Sequence, residues 1–558
     1  MSTTPLNRLT HKGYPDSTGV DYIYDLAGKI RQVSDPTGVY GFAYDNMGRL
    51  IGTTTQYSFL PGQTFTNAYT YDAASNRKSL TAPDGSITTY GYDSLNRLNG
   101  LSNSWAGSFG FGYDALSRRT SLTRPNGVNT SYSYDSVSHL LSVLHQAGTN
   151  ILDGASYTYD PAGNRTSKTN YLNGVTENYT YDPLYQLTQV TQGGSTTESY
   201  SYDVVGNRLS SLGVPNYQYN ASNELTSTSA GSYTYDANGS TLSDASGKQY
   251  SWDFENRLTS VMVPGTGTTT FAYDPFGRRI QKSAPLGTTN YLYDGTNIIE
   301  EADAAGSAVA RFTHGPLIDE PLSQFHSGIR TYYQAEDSGS ITSLADSSAT
   351  PSATYSYDSY GNLSASTGTI VNPYRYTSRE LDTEIGIYYY RARFFDPSSG
   401  RFLNEDPKKT TAEFNFYRYA LNSPVNRVDP LGWASCASGH CADCPGGRWV
   451  SGAVTAEAYA SARFAGGGLL LFSGVMICPS NPTFNVPFTT LCGFGNVGLS
   501  PRPPLTSPPA KPIGIGGGLG GAAFSCSGAG WPTFGPLTNG CPTLRGVRRV
   551  GTGNSGSK

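Results

Sequence analysis

Three Asp-Pro pairs, at Asp396, Asp406 and Asp429, carry the side chains of this sequence that are best suited to catalysis. They lie between Pro373 and Trp433, where charged and aromatic residues interleave and few positions are neutral. Two carboxylates that share one proton can cut a peptide bond, because the ionised group activates water while the neutral one protonates or polarises the scissile carbonyl. An Asp-Pro pair followed by Gly is also an ordinary turn, so the dipeptides alone allow a structural role as well.

A second set of reactive side chains follows Trp433. Cys436, His440, Cys441 and Cys444 are residue types that bind zinc, and the last two form a Cys-x-x-Cys pair. No second Cys pair follows at the distance typical of a zinc ribbon. Seven scattered Cys in a segment rich in Gly and Pro favour disulfides of an exported protein, or unpaired thiols, over this zinc site. We therefore expect no cofactor.

The composition changes at the same point. All seven Cys lie after residue 433, and eight Lys or Arg against Asp443 and Glu457 give residues 434–558 a formal charge of +6. Since the whole chain carries −4, the part before the tail carries −10. The tail has one His, one Asp and one Glu, which is little material for general acid–base catalysis. We interpret residues 434–558 as a separate module, an irregular C-terminal tail rich in Cys, Gly and Pro.

The carboxylates between Pro373 and Trp433 follow a long segment that is built from sequence repeats, and these repeats would have to position them. The dipeptide Tyr-Asp recurs, mostly at intervals of 20 to 22 residues. It begins at Tyr24, Tyr44, Tyr71, Tyr92, Tyr113, Tyr134, Tyr159, Tyr181, Tyr202, Tyr235, Tyr273, Tyr293 and Tyr357. A repeat of this length indicates one small structural unit that is stacked many times.

Each repeat is predicted to be a β-hairpin. An aromatic residue usually stands two positions before the Tyr, which is the period of a strand with one aromatic face. The Asp then opens a turn that Gly or Asn closes, as in Tyr44 to Gly48. Only 14% of residues are charged while 65 are Gly and 42 are Tyr, which argues against both a charged disordered chain and a helical bundle. We predict an all-β fold, a spiral of stacked antiparallel hairpins that forms a shell.

The repeated Tyr and Arg residues have two interpretations. Tyr can fill the seam between successive hairpins while Arg pairs with the Asp of the turn, or exposed rows of Tyr can bind carbohydrate by stacking. The first is favoured, because a residue type that recurs in every unit usually serves packing. A net charge of −4 gives no reason to expect nucleic acid as a partner of the shell.

The stretch from Pro373 to Trp433 resembles the core of the Rhs family of YD-repeat proteins, whose relatives include the C component of insecticidal Tc toxins and the YD shell of teneurins. The residues that carry the resemblance are Tyr374 to Tyr376, Arg379 to Asp382, Gly386 to Arg393, Asp396-Pro397, Gly400 to Phe402, Glu405 to Pro407 and Asn422 to Gly432. The resemblance implies a large hollow β-shell that encloses a variable C-terminal segment. It also implies that the core is an internal, self-cleaving aspartyl protease.

On the family pattern, Asp406 and Asp429 correspond to the two acids, and Arg393 corresponds to a basic residue of the same site. Cleavage in the family follows the motif that here reads Asp429 to Trp433, which places the cut between Trp433 and Ala434. Family members usually have Leu where this chain has Trp433. The indole ring is bulkier than a Leu side chain, so the scissile bond after Trp433 has to fit a site that is shaped for Leu.

We therefore expect three regions: a YD-repeat shell over residues 1–372, an Rhs core over 373–433 and a variable tail over 434–558. The first hypothesis is a self-processing delivery protein whose partner is its own tail as enclosed cargo. The alternative is a non-enzymatic secreted or cell-surface protein whose repeats bind carbohydrate or protein.

The N-terminal residues lack the basic start and apolar stretch of a signal peptide. Family members usually extend further upstream, so we expect a truncated reading frame or an upstream shell or export partner. Secretion or display at the cell surface is inferred from the resemblance and from the Cys residues.

Overall fold

The structure is a computed structural model that describes residues 2–4, 6–409, 414–433 and 435–437, together with the strands of the tail given below. The chain divides into two compact units, Met1–Cys441 and Ala442–Lys558. The expected boundaries at residues 372 and 433 lie inside the first unit and stay predictions. Among the described residues, no helix is both long enough and apolar enough to span a bilayer.

The described part of the first unit begins with a sheet of twenty strands, in which each strand pairs antiparallel with the next. These strands are β1 (Ser2–Thr3), β2 (Leu9–Gly13), β3 (Gly19–Tyr24), β4 (Ile30–Asp35), β5 (Gly38–Tyr44), β6 (Leu50–Tyr57), β7 (Phe65–Tyr71), β8 (Arg77–Thr81), β9 (Ile87–Tyr92), β10 (Leu98–Asn103), β11 (Gly107–Tyr113), β12 (Arg119–Thr123), β13 (Val128–Tyr134), β14 (Leu140–Ala147), β15 (Asn150–Tyr159), β16 (Arg165–Asn170), β17 (Thr176–Tyr181), β18 (Leu187–Gln192), β19 (Ser195–Tyr202) and β20 (Arg208–Ser211).

A three-stranded and a fourteen-stranded antiparallel sheet follow in the described residues. Their strands are β21 (Gln218–Tyr219), β22 (Leu225–Thr228), β23 (Gly231–Ser232), and then β24 (Thr234–Tyr235), β25 (Thr241–Ser243), β26 (Gln249–Trp252), β27 (Leu258–Val263), β28 (Gly267–Tyr273), β29 (Arg279–Ala284), β30 (Gly287–Asp294), β31 (Asn297–Ala302), β32 (Ala308–His314), β33 (Pro321–His326), β34 (Ile329–Ala335), β35 (Ile341–Ala345), β36 (Pro351–Tyr357) and β37 (Leu363–Thr367).

The core contains a small antiparallel sheet and two 3₁₀ turns. The strands are β38 (Glu380–Asp382), β39 (Ile387–Tyr390), β40 (Arg393–Asp396) and β41 (Arg401–Phe402), and a separate ladder joins β42 (Arg427–Val428) to β43 (Cys436–Ala437). The 3₁₀ turns cover Tyr376–Ser378 and Ala420–Asn422. The described strands of the second unit are β44 (Trp449–Val450), β45 (Ala453–Val454), β46 (Ala458–Ala465), β47 (Leu469–Cys478), β48 (Asn481–Gly493), β49 (Thr533–Phe534) and β50 (Leu544–Arg545), of which β46 to β48 form one antiparallel sheet.

The Tyr-Asp motif closes each hairpin as its sequence predicts. In the unit that begins at Tyr44, the Asp45 carboxylate accepts hydrogen bonds from the backbone N–H groups of Met47 and Arg49, and it pairs with the Arg49 guanidinium at 2.7 Å. Gly48 takes a positive φ of 77°, which explains why Gly or Asn recurs there. The pairing of the repeated Arg with the turn Asp is thereby confirmed.

The repeated Tyr joins each hairpin to the one before it. Tyr71 donates its hydroxyl hydrogen to the Leu50 carbonyl at 2.7 Å, and Tyr92 does the same to the Arg77 carbonyl at 2.9 Å. Its ring also receives the cation of the previous unit, since the Arg49 guanidinium carbon lies 4.9 Å from the Tyr71 ring centroid. The prediction that Tyr fills the seam between hairpins is confirmed.

The fourteen-stranded sheet packs along the twenty-stranded one. Tyr57 donates to the Tyr291 carbonyl at 2.7 Å across 234 residues, and near the other end Tyr202 meets Tyr360 at 2.8 Å across 158 residues. Contacts between the two sheets thus join residues that are about one turn of the ribbon apart, which is the contact pattern of a spiral whose second turn lies on its first.

A buried ion pair ties the core to this ribbon. Asp382 is 1% exposed and binds both Arg279 and Lys282 of β29. Although burial opposes its ionisation, these two cations hold the pKa of Asp382 below its usual value. Its contribution to stability is therefore present above the unfolded pKa and is lost as the pH falls through the lowered one.

We predict that Asp382→Asn lowers the free energy of unfolding by about 3–5 kcal/mol, because it leaves the buried Arg279 without its carboxylate, whereas Lys282 keeps Glu384. Denaturant unfolding near neutral pH measures this. The exposed Asp16 provides the control, since Asp16→Asn should change little. Equal effects of the two substitutions would contradict the assigned role of Asp382.

Candidate active site

Arg393 brings the two predicted acids together. It is the first residue of β40, it is 3% exposed, and its Nη2 atom lies 3.1 Å from Asp406 Oδ2 and 3.2 Å from Asp429 Oδ2. Because both distances end on one nitrogen atom, the two Oδ2 atoms can be no farther apart than the sum of the two distances. The three residues that the family pattern aligns, at positions 393, 406 and 429, therefore form one cluster.

The remaining contacts of Arg393 hold it in place. Its Nη1 donates to the Phe416 carbonyl at 2.8 Å, its Nε donates to the Gly432 carbonyl, and its guanidinium carbon lies 3.5 Å from the Phe402 ring centroid. A planar guanidinium with all these partners is fixed in orientation as well as in position. The carboxylates that it binds are thereby held in place too.

The arginine cation lies between the two acids. Two carboxylates held this close to one another form the type of pair that can share a proton. Burial raises the pKa of Asp406 above its usual value, the Arg393 cation works against this rise, and the charge of Asp429 adds to it. Asp406 is thus suited to be the protonated member of the pair.

The cluster is bonded directly to the predicted cleavage motif. Asp429 Oδ1 accepts a hydrogen bond from the Trp433 backbone N–H at 3.1 Å. Gly432 has φ of +70°, and a Cβ atom there would lie 2.3 Å from the Tyr390 carbonyl oxygen, so only glycine lets the chain pass this close to β39. Because β42 pairs with β43, Asp429 to Trp433 lie directly after the first strand of a short two-stranded ladder.

Lys408 contacts the residue that departs from the family pattern. Its Nζ lies 3.7 Å from the centroid of the Trp433 ring, and its backbone N–H donates to Asp406 Oδ1 at 2.7 Å. The same residue therefore binds one of the acids through its backbone and covers the indole through its side chain. Sequence analysis did not single out Lys408, because a lysine after Asp-Pro carries no signal of its own.

The other predicted residues fall outside this cluster. Asp396 accepts hydrogen bonds from Ser398 at its own turn, as an ordinary Asp-Pro turn does. Ala434, on the far side of the predicted cleavage point, lies outside the described residues, as do His440, Cys441 and Cys444. For Cys436 only the backbone is described, in β43. Among the described residues no group of three or more metal-ligand side chains is found.

A row of turn carbonyls holds the core against the ribbon. In seven turns the fourth residue has positive φ and its carbonyl oxygen accepts a hydrogen bond from a core side chain. Four of these turns begin at the Asp of a Tyr-Asp pair, and the others begin at the second residue of Tyr219-Asn220, Trp252-Asp253 and Ala335-Glu336. We call these seven oxygens the turn-carbonyl row. The pairs are Asn422 with Gly206, Arg401 with Asn223, Tyr417 with Gly239, Asn404 with Asn256, Tyr389 with Gly277, Ser378 with Gly339 and Tyr388 with Gly361, at 2.6 to 3.5 Å.

Comparison with known proteins agrees with this architecture. The family model of the teneurin YD-shell matches residues 155–425, and that of the RHS repeat matches residues 71–108. The chain belongs to the Rhs family of YD-repeat proteins. It is 33% identical over 417 residues to the tRNA3(Ser)-specific nuclease WapA of Bacillus spizizenii, an alignment that covers 71% of this chain and 16% of that protein.

Another relative is the probable deoxyribonuclease RhsB of Dickeya dadantii, 29% identical over 187 residues, 30% of this chain and 12% of that protein. Among solved structures, the complex TcdB2-TccC3-Cdc42 matches with a TM-score of 0.66 at 21% identity, over 76% of this chain and 26% of that chain. The two chains thus share the fold of the Tc toxin shell. The chain thus spans about one sixth of the WapA sequence and about a quarter of the Tc toxin chain.

Proposed function

We propose that this Rhs-family chain encloses its own C-terminal segment and releases it by hydrolysing the peptide bond between Trp433 and Ala434. The observation that carries the proposal is that Arg393, Asp406 and Asp429 form one buried cluster which is hydrogen-bonded to Gly432 and Trp433 of the same chain. A protease that acts on its own chain needs this direct connection between the acids and the bond that they cut.

The roles follow from the surroundings of each acid. Asp429, as the carboxylate, takes a proton from a water molecule, whose oxygen adds to the Trp433 carbonyl carbon. Asp406, whose pKa is raised by burial, donates its proton to the nitrogen of Ala434 as the peptide bond breaks. The products are a carboxyl group on Trp433 and an amine on Ala434, and the proton that Asp429 has taken restores the pair.

Arg393 acts as a positioning residue in this scheme. It forms ion pairs with both acids and donates a hydrogen bond to the carbonyl of Gly432, one residue before the scissile bond. Such pre-organisation is what allows two carboxylates to share a proton beside a fixed peptide bond.

The tail is proposed to be the cargo, and its export to be secretion or display at the cell surface. Two lines support a toxic cargo: relatives with the printed names tRNA nuclease and probable deoxyribonuclease share the shell, and the chain has a compositionally distinct segment after Trp433. The target of the tail and the upstream partner belong to the same proposal.

The first prediction concerns cleavage itself. Wild-type protein, purified and kept near neutral pH to spare acid-labile Asp-Pro bonds, should yield a fragment that ends at Trp433, and Asp406→Asn or Asp429→Asn should give one uncut chain. Intact-mass measurement under denaturing conditions decides this, with Asp396→Asn as the matched control that still cuts. An uncut wild-type chain would favour the alternative of a non-enzymatic surface protein that binds carbohydrate or protein.

The second prediction concerns pH. Because Asp406 must be protonated to donate, the cleavage rate should fall as the pH rises through its raised pKa. Stopping the reaction at set times in buffers of increasing pH and measuring the fraction cut provides the profile. A rate that rises steadily with pH would contradict the role of Asp406 as the acid.

The third prediction concerns the fit of Trp433. Lys408→Gln should slow cleavage about two- to fivefold, since a cation–π contact at an exposed site contributes about 0.5–1 kcal/mol. In a Trp433→Leu background the same substitution should have no effect. Lys409→Gln is the control, because Lys409 pairs with Glu405 instead. An equal slowing in both backgrounds would show that Lys408 acts on something other than the indole.

A further inference from the structure

Five Tyr-Asp turns carry an arginine at the fifth position after the Asp. Each of these equivalent arginines places its guanidinium over an aromatic ring of its own hairpin, at 4.6 to 5.4 Å from the ring centroid. The pairs are Arg77 with Tyr69, Arg119 with Phe111, Arg165 with Tyr157, Arg208 with Tyr200 and Arg279 with Phe271. The shared position and stacking make the five sites directly comparable.

Four of the five equivalent arginines reach a carboxylate on a distant part of the chain. Arg77 pairs with Asp294, Arg119 with Glu320, Arg165 with Asp337 and Arg279 with Asp382. At this position an arginine therefore usually stacks on a ring of its own hairpin and pairs with a carboxylate from the next turn of the spiral or from the core.

Arg208 breaks the rule. It is 6% exposed, its Nη2 is buried without a hydrogen-bond partner, and among the described residues it forms no ion pair. Tyr360 covers its other face at 4.1 Å. Asp358 is a nearby carboxylate whose charge acts on Arg208, but it forms no ion pair with Arg208, and its oxygens accept hydrogen bonds from the donors of its own turn.

Arg208 lines a small polar cavity where the ribbon meets the core. The lining includes Asn207, Arg208, Arg401, Asn415, Arg418 and Asn422, with no Asp or Glu among its described residues. Arg401 is 8% exposed, also forms no ion pair with a described residue, and has an Nε atom without a partner. The space holds about one water-sized particle.

A buried cation without a counter-charge is costly, because the desolvation of an ion amounts to several kcal/mol unless an opposite charge lies close. We propose that this cavity binds a monatomic anion, chloride in ordinary buffers, which takes the place of the carboxylate that the other four arginines possess. The small space favours a monatomic anion over a tetrahedral oxyanion. Since Arg208 belongs to β20 and Arg401 to the core, the anion strengthens the contact between ribbon and core.

The test is the unfolding midpoint of the full chain as sodium chloride or sodium bromide replaces sodium gluconate at constant ionic strength. Wild type should gain stability with halide along a saturable curve. Arg208→Met, which keeps the volume between Tyr200 and Tyr360 but removes the charge, should lose this dependence. Arg97→Met is the control: Arg97 has its own carboxylate partner, Asp93, and lies outside the cavity, so this variant should keep the dependence on halide.

A midpoint that does not respond to halide, or that responds equally in the Arg208 variant, would overturn the proposal. Should the variant fail to fold, crystals of the wild-type chain grown in bromide give an independent answer. An anomalous bromide peak between Arg208 and Arg401 supports the site, and bromide found only elsewhere on the protein refutes it. Neither readout depends on self-cleavage, so failure here leaves the proposed function untouched.

Discussion

The turn-carbonyl row is the constraint on which the described structure depends. The fourth residue of each of these seven turns takes positive φ, and its carbonyl oxygen accepts a hydrogen bond from a core side chain. A carbonyl that becomes buried must find a donor. The core supplies those donors from Asn, Arg, Tyr and Ser side chains, so the same motif that closes each hairpin also fixes where the core sits.

The site inherits its geometry from this row. Tyr417, which binds the Gly239 carbonyl, follows Phe416, whose own carbonyl accepts a hydrogen bond from Arg393. Asn404 binds the Asn256 carbonyl two residues before Asp406. The segments that carry the acids are thus anchored at several points along the ribbon. A short peptide with the same Asp-Pro pairs would lack these anchors, and pre-organisation would be lost with them.

Much of the fold and the candidate site could be predicted from the sequence, and what could not be predicted has a physical reason. The hairpin, its turn and the Tyr seam repeat in every unit, so local patterns suffice for them, and family motifs align Arg393, Asp406 and Asp429. Long-range contacts that occur only once in the structure leave no repeated pattern in the sequence. Arg401 meets Asn223 across 178 residues, and Ala420, Leu421 and Asn422 take left-handed φ without a glycine among them. The missing carboxylate of Arg208 becomes visible only when five aligned arginines are compared in space.

The most direct test of the dependence of the site on the row is the rate at which the fragment ending at Trp433 appears in a double variant, Asn404→Ala with Tyr417→Phe. Neither side chain belongs to the acid cluster, yet a small misplacement of the acids should slow cleavage by about tenfold or more. Tyr24→Phe, which removes a hydroxyl bond to the Leu9 carbonyl in the first sheet, serves as the control and should cut like wild type. A double variant that cuts as fast as wild type would contradict the dependence.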